Sequence, residues 1–564
     1  MPKLWKLKPA DIPLQKKLSQ ELGISPILAQ VLINRNIRSQ ESAREFLNPR
    51  LSGLHDTKLL PDIDKAKERI LKAFKNKENI LLFSDYDADG LTSLAVLKIA
   101  FGKLGIPHEY YVPHRLKEGY GLSEHLVTYA HEHGFTLIIT LDCGISNSKE
   151  IEALKRLAID TIVIDHHQLD AGKLPPAHSV INPKRQDSRY PYQELAGVGL
   201  SYKVAVSLLD SLMEEELDLV CIGTIADVVP LVGENRIIVK EGLKKLVSTK
   251  RQGLQSLIEV TGLKNKAITA EHVSFILAPR INACGRIGPS DAALELLLCD
   301  SDDKAGLLAR ELHDKNKERQ RIESRILQEA LQQLEAEIDL ANERVIIVHN
   351  DNWHQGVLGI IASKISDRFH RPAFVVSFSD GLGKGSGRSI ENFHLFEGLR
   401  ECSQHLVGFG GHKRACGMSI LKKEIENFRK SINRIAFEKL TPHDLMPSIT
   451  IDAQMSLSSL SLDLLQELSL LEPFGNANPK PIFSSANLSV KSKPALMGKD
   501  TLKFWVTDGK QAYQAIGFGM GRYFDLVSCS ETINLAYRIS LDTWNGNNQL
   551  QLEIEDIQQC QCQA

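Results

Sequence analysis

The sequence predicts a multidomain α/β protein: a parallel-sheet domain, a long connecting helix, a smaller α/β domain and a C-terminal β-barrel of the OB type. Three observations predict it. Strand–helix alternation with continuous apolar strands runs over residues 63–165, an apolar period close to 3.6 runs over 303–338, and short alternating strands fill the chain from about 448 onward. A length of 564 residues is enough for three or four domains whose cores need no disulfide staples.

Residues 1 to about 60 read as short helices broken by prolines, with Asn48-Pro49-Arg50 as a boundary. The alternation that follows includes the apolar runs NILLF, LIITLD and TIVID, and uninterrupted apolar strands imply a parallel sheet covered on both faces. The periodic segment 303–338 spans roughly 54 Å as one helix, long enough to tie two domains together. A second alternation begins at RVIIVHN and ends near 440 in an amphipathic helix. Beyond it, SITIDAQ, LKFWVTDG, YQAIGF, INLAYRISLD and LQLEIEDI are five strands separated by Gly, Asn and Asp turns, which suits a small barrel.

Lys and Arg number 68 against 70 Asp and Glu, a net charge of −2, so a nucleic-acid partner would be held by a local patch. Residues 366–434 carry 12 Lys/Arg and 7 Asp/Glu, a modest basic face, whereas 447–564 carry 8 and 12. The nine cysteines are scattered without a disulfide-like spacing, and Cys560-x-Cys562 has no second pair or histidine cluster to complete a metal site. The first residues lack the apolar stretch of a signal peptide, and no run approaches 18 uncharged apolar residues. The expectation is a cytoplasmic protein without a membrane segment.

Chemistry gathers at strand ends. Asp85, Asp87 and Asp89 directly follow NILLF, Asp142 ends LIITLD, and Asp165, His166 and His167 end TIVID. In open α/β sheets the carboxyl edge is where ligands bind. An EF-hand reading of the Asp-rich loop fails because its twelfth position is Val96, not Glu. Carboxylates clustered this way repel, and a divalent cation removes that cost. Asp227, inside the apolar CIGTIADVVPL, needs a partner for the same reason. Mostly oxygen ligands favour Mg²⁺ or Mn²⁺, and an imidazole among them favours Mn²⁺. Two such cations suit displacement at phosphorus, so phosphate esters or anhydrides are the expected substrates.

In this order SDYDADG, LDCGIS, DHH and ADVVPL resemble the motifs of the DHH phosphoesterase superfamily. WHQGVLGIIASKI, GSGRSI and GGHKRACG resemble its DHHA1 domain, PRINACGR resembles the segment linking the two, and LEPFGNANPKPIF resembles the segment leading into a terminal OB-fold. The sequence departs from the pattern at Ser84, where Gly is usual, and at Cys416, where Ala is usual. The whole is similar to the bacterial 5′→3′ exonucleases of this superfamily that act on single-stranded DNA in repair and recombination.

The resemblance implies an N-terminal helical segment (1–60), a DHH catalytic domain (61–300), a connecting helix (301–340), a DHHA1 domain (341–445) and an OB-fold (446–564). It implies that Asp89, Asp142, His166 and Asp227 hold one cation and that Asp87 and a bridging Asp142 hold the second. His167 would face the scissile phosphate, and Asp85 would support the loop. Arg115, Arg280, Asn282, Arg286, His354, Ser386, Arg388 and His412 would contact nucleic acid, with GSGRS also lending backbone N–H groups to phosphate. The implied partners are single-stranded DNA, a single-strand-binding protein and a RecQ-type helicase. Two other readings stay open: a DHH-type phosphodiesterase of short oligonucleotides or cyclic dinucleotides, and a non-catalytic nucleic-acid-binding replication scaffold. The OB segment and long helix argue against the first, and the complete set of acidic and histidine positions argues against the second.

Overall fold

Three apolar runs that each end in aspartate become the middle of a five-stranded parallel sheet. The computed structural model describes residues 3–115, 117–169, 173–498, 500–542 and 549–559. Across the sheet the strands are Glu109–Tyr111, Ile80–Ser84, Leu137–Leu141, Asp160–Ile164 and Ser179–Ile181. On one face Leu81, Phe83, Ile138 and Val163 pack with Leu126, Ala130, Ile151 and Leu154 of helices Glu124–Glu132 and Ser148–Arg156. Helices Ala88–Leu104 and Gly197–Leu209 also pack against the sheet, so the middle strands are buried almost throughout.

Register then aligns the chemistry. Ser84 pairs with Leu141 and Leu141 with Ile164, so the next residue on each strand is level with its neighbours. The ladder runs one residue further: the N–H groups of Asp85, Asp142 and Asp165 donate to Leu141, Ile164 and Ile181 at 3.2, 2.9 and 3.2 Å. Three aspartates are thereby held side by side at the carboxyl edge.

A single helix, Asp302–Glu337, runs 36 residues from this domain to the next. Its first part packs on helices Gln252–Val260, Ala278–Ile287 and Asp291–Leu298. Further along, Ile326, Ala330 and Leu334 join Ile346, Val348 and Ile361 in the core of the second α/β domain. That domain has strand order Gly408–Gly411, Ala415–Leu421, Leu382–Arg388, Ala373–Ser379, Ile346–Asp351, with only the last pair parallel.

Here one expectation is corrected. GSGRS is not a loop with free N–H groups; residues 382–388 form a strand paired on both sides, which commits its backbone to the ladder. The glycines serve packing instead. A Cβ on Gly383 would lie 2.6 Å from the Phe378 ring, and one on Gly387 would lie 2.5 Å from Phe374.

These elements belong to one unit, His55–Val229 with Glu241–Pro447; the other comprises Met1–Leu54, Pro230–Lys240 and Ser448–Ala564. In the second unit, Phe483–Val490 bonds both Thr532–Asp542 and Thr501–Thr507, closing a barrel with Ala512–Phe518 and Gln549–Gln559. Phe483, Leu502, Phe504, Val506 and Tyr537 form a core shared with Leu28, Val31, Leu32 and Phe46 of the N-terminal helices. Before those helices, Leu4–Leu7 is a strand parallel to Ser448–Ile451. Cys560 and Cys562 lie outside the described residues. The seven cysteines within them are free, and no described helix is long and apolar enough to cross a membrane.

Candidate metal centre

Helix Ala88–Leu104 starts at the end of strand Ile80–Ser84, with Asp87 as its N-cap. One oxygen, Oδ1, accepts the N–H groups of Asp89 and Gly90 at 3.0 and 3.1 Å, which leaves Oδ2 for another partner. The turn is tight enough to require Gly90, whose Cβ would sit 2.4 Å from the Asp85 carbonyl oxygen. Asp89 is aimed by the start of helix Gly197–Leu209: its two oxygens accept from Gly197 and Val198 at 2.8 and 2.7 Å. A side chain at Gly197 would collide with Asp142, its Cβ falling 2.6 Å from Oδ1.

His166 stands at the centre. Its Nε2 lies 3.3 Å from Asp142, 3.4 Å from Asp227 and 3.9 Å from Asp89. Among the described residues, neither ring nitrogen has a hydrogen-bond partner, nor do the buried Oδ1 atoms of Asp142 and Asp85. Three groups of potential ligand atoms each fall within 4.8 Å: Asp89, His166 and Asp227; Asp85, Asp87 and Asp142; and Asp142, His166 and His167. Buried oxygen and nitrogen acceptors that face one another with no hydrogen bond between them are what divalent cations satisfy, and the donor set fits Mn²⁺ or Mg²⁺.

The electrostatics agree. Burial, and then Asp87, raises the Asp89 pKa to about 7, and Asp85 is raised by the same two causes. Asp142 and Asp227 are raised by burial and then by neighbouring carboxylates, Asp89 first in both cases. Burial and the adjacent His167 push His166 down to about 3, the neutral form a metal ligand needs. His167 behaves oppositely: burial opposes its charge, but the 2.7 Å bond from Nδ1 to Asp165 outweighs it and the pKa rises to about 9. Asp165 also accepts the Ile145 N–H at 2.9 Å, so it serves as a bracket for His167.

A cavity of about 460 Å³ opens over this cluster, lined by Asp85, Asp87, Asp142, His167 and Asp227 on one side and Ser386 and Arg388 on the other. Arg115 and Arg286 also line it, as do Tyr86 and Tyr120, with Arg115 5.0 Å above the Tyr86 ring. Arg388 bonds the Ser386 hydroxyl at 3.2 Å. Gly359 keeps space beside them: its Cβ would lie 3.0 Å from Arg388 and 3.1 Å from Ser386.

Four expected nucleic-acid contacts are not among the cavity-lining residues. Arg280 donates to the carbonyl of Ile276, in the turn preceding its helix, and to His313. Asn282 accepts the Ala88 N–H, the His354 ring caps a short helix by accepting from Gly356, and His412 lies exposed at a hairpin end. The structure adds Tyr120, whose hydroxyl donates to the Asp142 carbonyl at 3.2 Å and lies 3.2 Å from His167 Nδ1. Only its place in the Gly-rich EGYG stretch after Arg115 hinted at it.

Family models match this layout: the DHH family N-terminal domain over residues 79–224, the DHHA1 domain over 342–438 and the RecJ OB domain over 451–556. The chain is 37% identical over 555 residues to the single-stranded-DNA-specific exonuclease RecJ of Bacillus subtilis, covering 98% of this chain and 70% of that one. With the Escherichia coli protein of the same name, identity is 33% over 577 residues, 97% of both. The crystal structure of RecJ in complex with Mn²⁺ from Thermus thermophilus superposes with a TM-score of 0.86 at 28% identity, covering 99% of this chain and 80% of that one. A Mg²⁺ complex from the same organism gives 0.80 at 27%, covering 99% and 79%. The chain belongs to the RecJ family of single-stranded-DNA-specific exonucleases.

Proposed function

We propose that the chain is a metal-dependent 5′→3′ exonuclease that hydrolyses phosphodiester bonds of single-stranded DNA in repair and recombination. One observation carries the reading: carboxylates and imidazoles from adjacent strand ends meet in a cavity whose far wall presents Ser386 and Arg388. Asp89, Asp142, His166 and Asp227 would hold one cation, and Asp87 with the shared Asp142 the other, Asp85 standing beside them. The cations supply an activated water and neutralise charge at the attacked phosphate. Arg388, Ser386 and Arg115 donate to phosphate oxygens and seat the 5′ end of the strand. Bound to Asp165 through Nδ1, His167 keeps Nε2 to donate to the scissile phosphate.

The RecJ OB match supports a barrel that holds unpaired bases by stacking and tracks the backbone. The free cysteines support a reducing cytoplasm as its compartment. Binding to a single-strand-binding protein and to a RecQ-type helicase rests on the family resemblance.

Digestion of 5′- and 3′-labelled single strands with Mn²⁺, Mg²⁺ or EDTA tests the proposal. Short products released from the 5′ end, no cleavage in EDTA and an untouched blunt duplex are expected. Release from the 3′ end would overturn the polarity, and undiminished activity in EDTA would overturn the metal.

A further inference from the structure

Helix Ala88–Leu104 opens at the metal loop, and the N–H groups of its first three residues, Ala88, Asp89 and Gly90, need partners from outside the regular helix ladder. Asp87 satisfies two of them through its Oδ1, which takes Asp89 and Gly90, and its carbonyl accepts the first ladder bond, from Leu91 at 2.8 Å. The third donor, the Ala88 N–H, goes to Asn282 Oδ1 at 2.7 Å. On the other side of Asp87, the Tyr86 carbonyl accepts the Ser290 hydroxyl at 3.2 Å. One short segment, 282–290, therefore holds both peptide units that flank Asp87. Gly285 allows this approach, since its Cβ would already lie 3.0 Å from the Tyr86 oxygen. The same segment reaches the second α/β domain through Arg286, which donates to the Gly356 carbonyl at 3.2 Å.

We infer that Asn282 is a positioning residue for the hydrolysis, acting through Asp87. By fixing the peptide after Asp87, it holds the free Oδ2 of Asp87 and the Asp89 side chain toward the cation cluster. This rests on the metal-dependent reading above. It also gives PRINACGR a role other than strand contact at this position, because the Asn282 side-chain oxygen is already engaged. Asn282→Ala leaves the Ala88 N–H buried without an acceptor, and the loop relaxes away from the arrangement that receives the metal.

The test is Mn²⁺ binding to the full chain without DNA, read from the electron paramagnetic resonance signal of free Mn²⁺, alongside steady-state kinetics on a single strand. Asn282→Ala is expected to bind Mn²⁺ about tenfold more weakly. Its kcat at limiting Mn²⁺ should fall, with KM for DNA unchanged. Asn282→Asp keeps the acceptor and should restore Mn²⁺ binding. Wild-type Mn²⁺ affinity in Asn282→Ala with a raised KM would overturn the inference in favour of a strand contact. Equal losses in the Ala and Asp variants would overturn it too, since the acceptor would then not matter. If Asn282→Ala does not fold, Ser290→Ala loosens the other flanking peptide and carries the same expectation. A wild-type chain that takes up no Mn²⁺ would fail the metal-dependent reading itself, which is a distinguishable result.

Discussion

Asp142 combines a left-handed backbone, φ 61°, with a carboxylate 3.3 Å from His166 Nε2. Asn and Asp tolerate that backbone better than other side chains, so Asp142→Asn removes charge without disturbing the chain path. Activity is expected to fall by about 100-fold if Asp142 is the ligand both cations share, as proposed. The EDTA-treated variant should nevertheless melt at a higher temperature than wild type, because one of several crowded buried carboxylates is gone. Single-turnover rates and calorimetry check the two signs. On the opposite wall, Arg388→Ala should cost about 1.5–3 kcal/mol of single-strand binding, and Lys should restore it only in part because it lacks the planar fork. A fluorescence titration measures it. The strand-end aspartates and His166-His167 were legible because a carboxylate closing an apolar run has no packing role. Tyr120, Gly197 and Gly359 were not, because what each approaches comes from a distant part of the sequence.

At the level of elements, three buried strands could be read from their continuous apolar runs and the 302–337 helix from its period, since these patterns are local. The strand Leu382–Arg388 could not. LGKGSGR has the composition of a loop, and the side chains of Phe374, Val376, Phe378, Leu395 and Met418, which a Cβ would strike, explain why glycine alternates along it. Gly387→Ala is accordingly expected to destabilise the chain by about 1–3 kcal/mol through overpacking against Phe374. It should also disturb Ser386 and Arg388, its neighbours on the strand. Urea denaturation beside the binding titration would show both effects; a variant as stable as wild type would contradict this account of the glycines.

Across the whole molecule, the least legible feature is that residues 1–54, 230–240 and 448–564 form one unit, an association of sequence-distant segments that no local pattern announces. Arg236 shows what joins them. It is fully buried, lies 3.9 Å over the Phe46 ring, and donates to the carbonyls of Phe46, Leu470, Leu471 and Glu472 at 2.7–3.0 Å. Burial lowers its pKa only to about 10, so it stays charged at neutral pH. Arg236→Met strands those carbonyls and should cost about 3 kcal/mol or more, seen as earlier unfolding of this unit in denaturant. For the cation cluster, the decisive measurement is anomalous scattering from crystals of the full chain grown with Mn²⁺. Two peaks are expected on either side of Asp142, one within coordination distance of Asp89, His166 and Asp227 and the other of Asp87. Peaks that leave Asp142 uncoordinated, or no peak at these strand ends, would contradict the two-cation assignment.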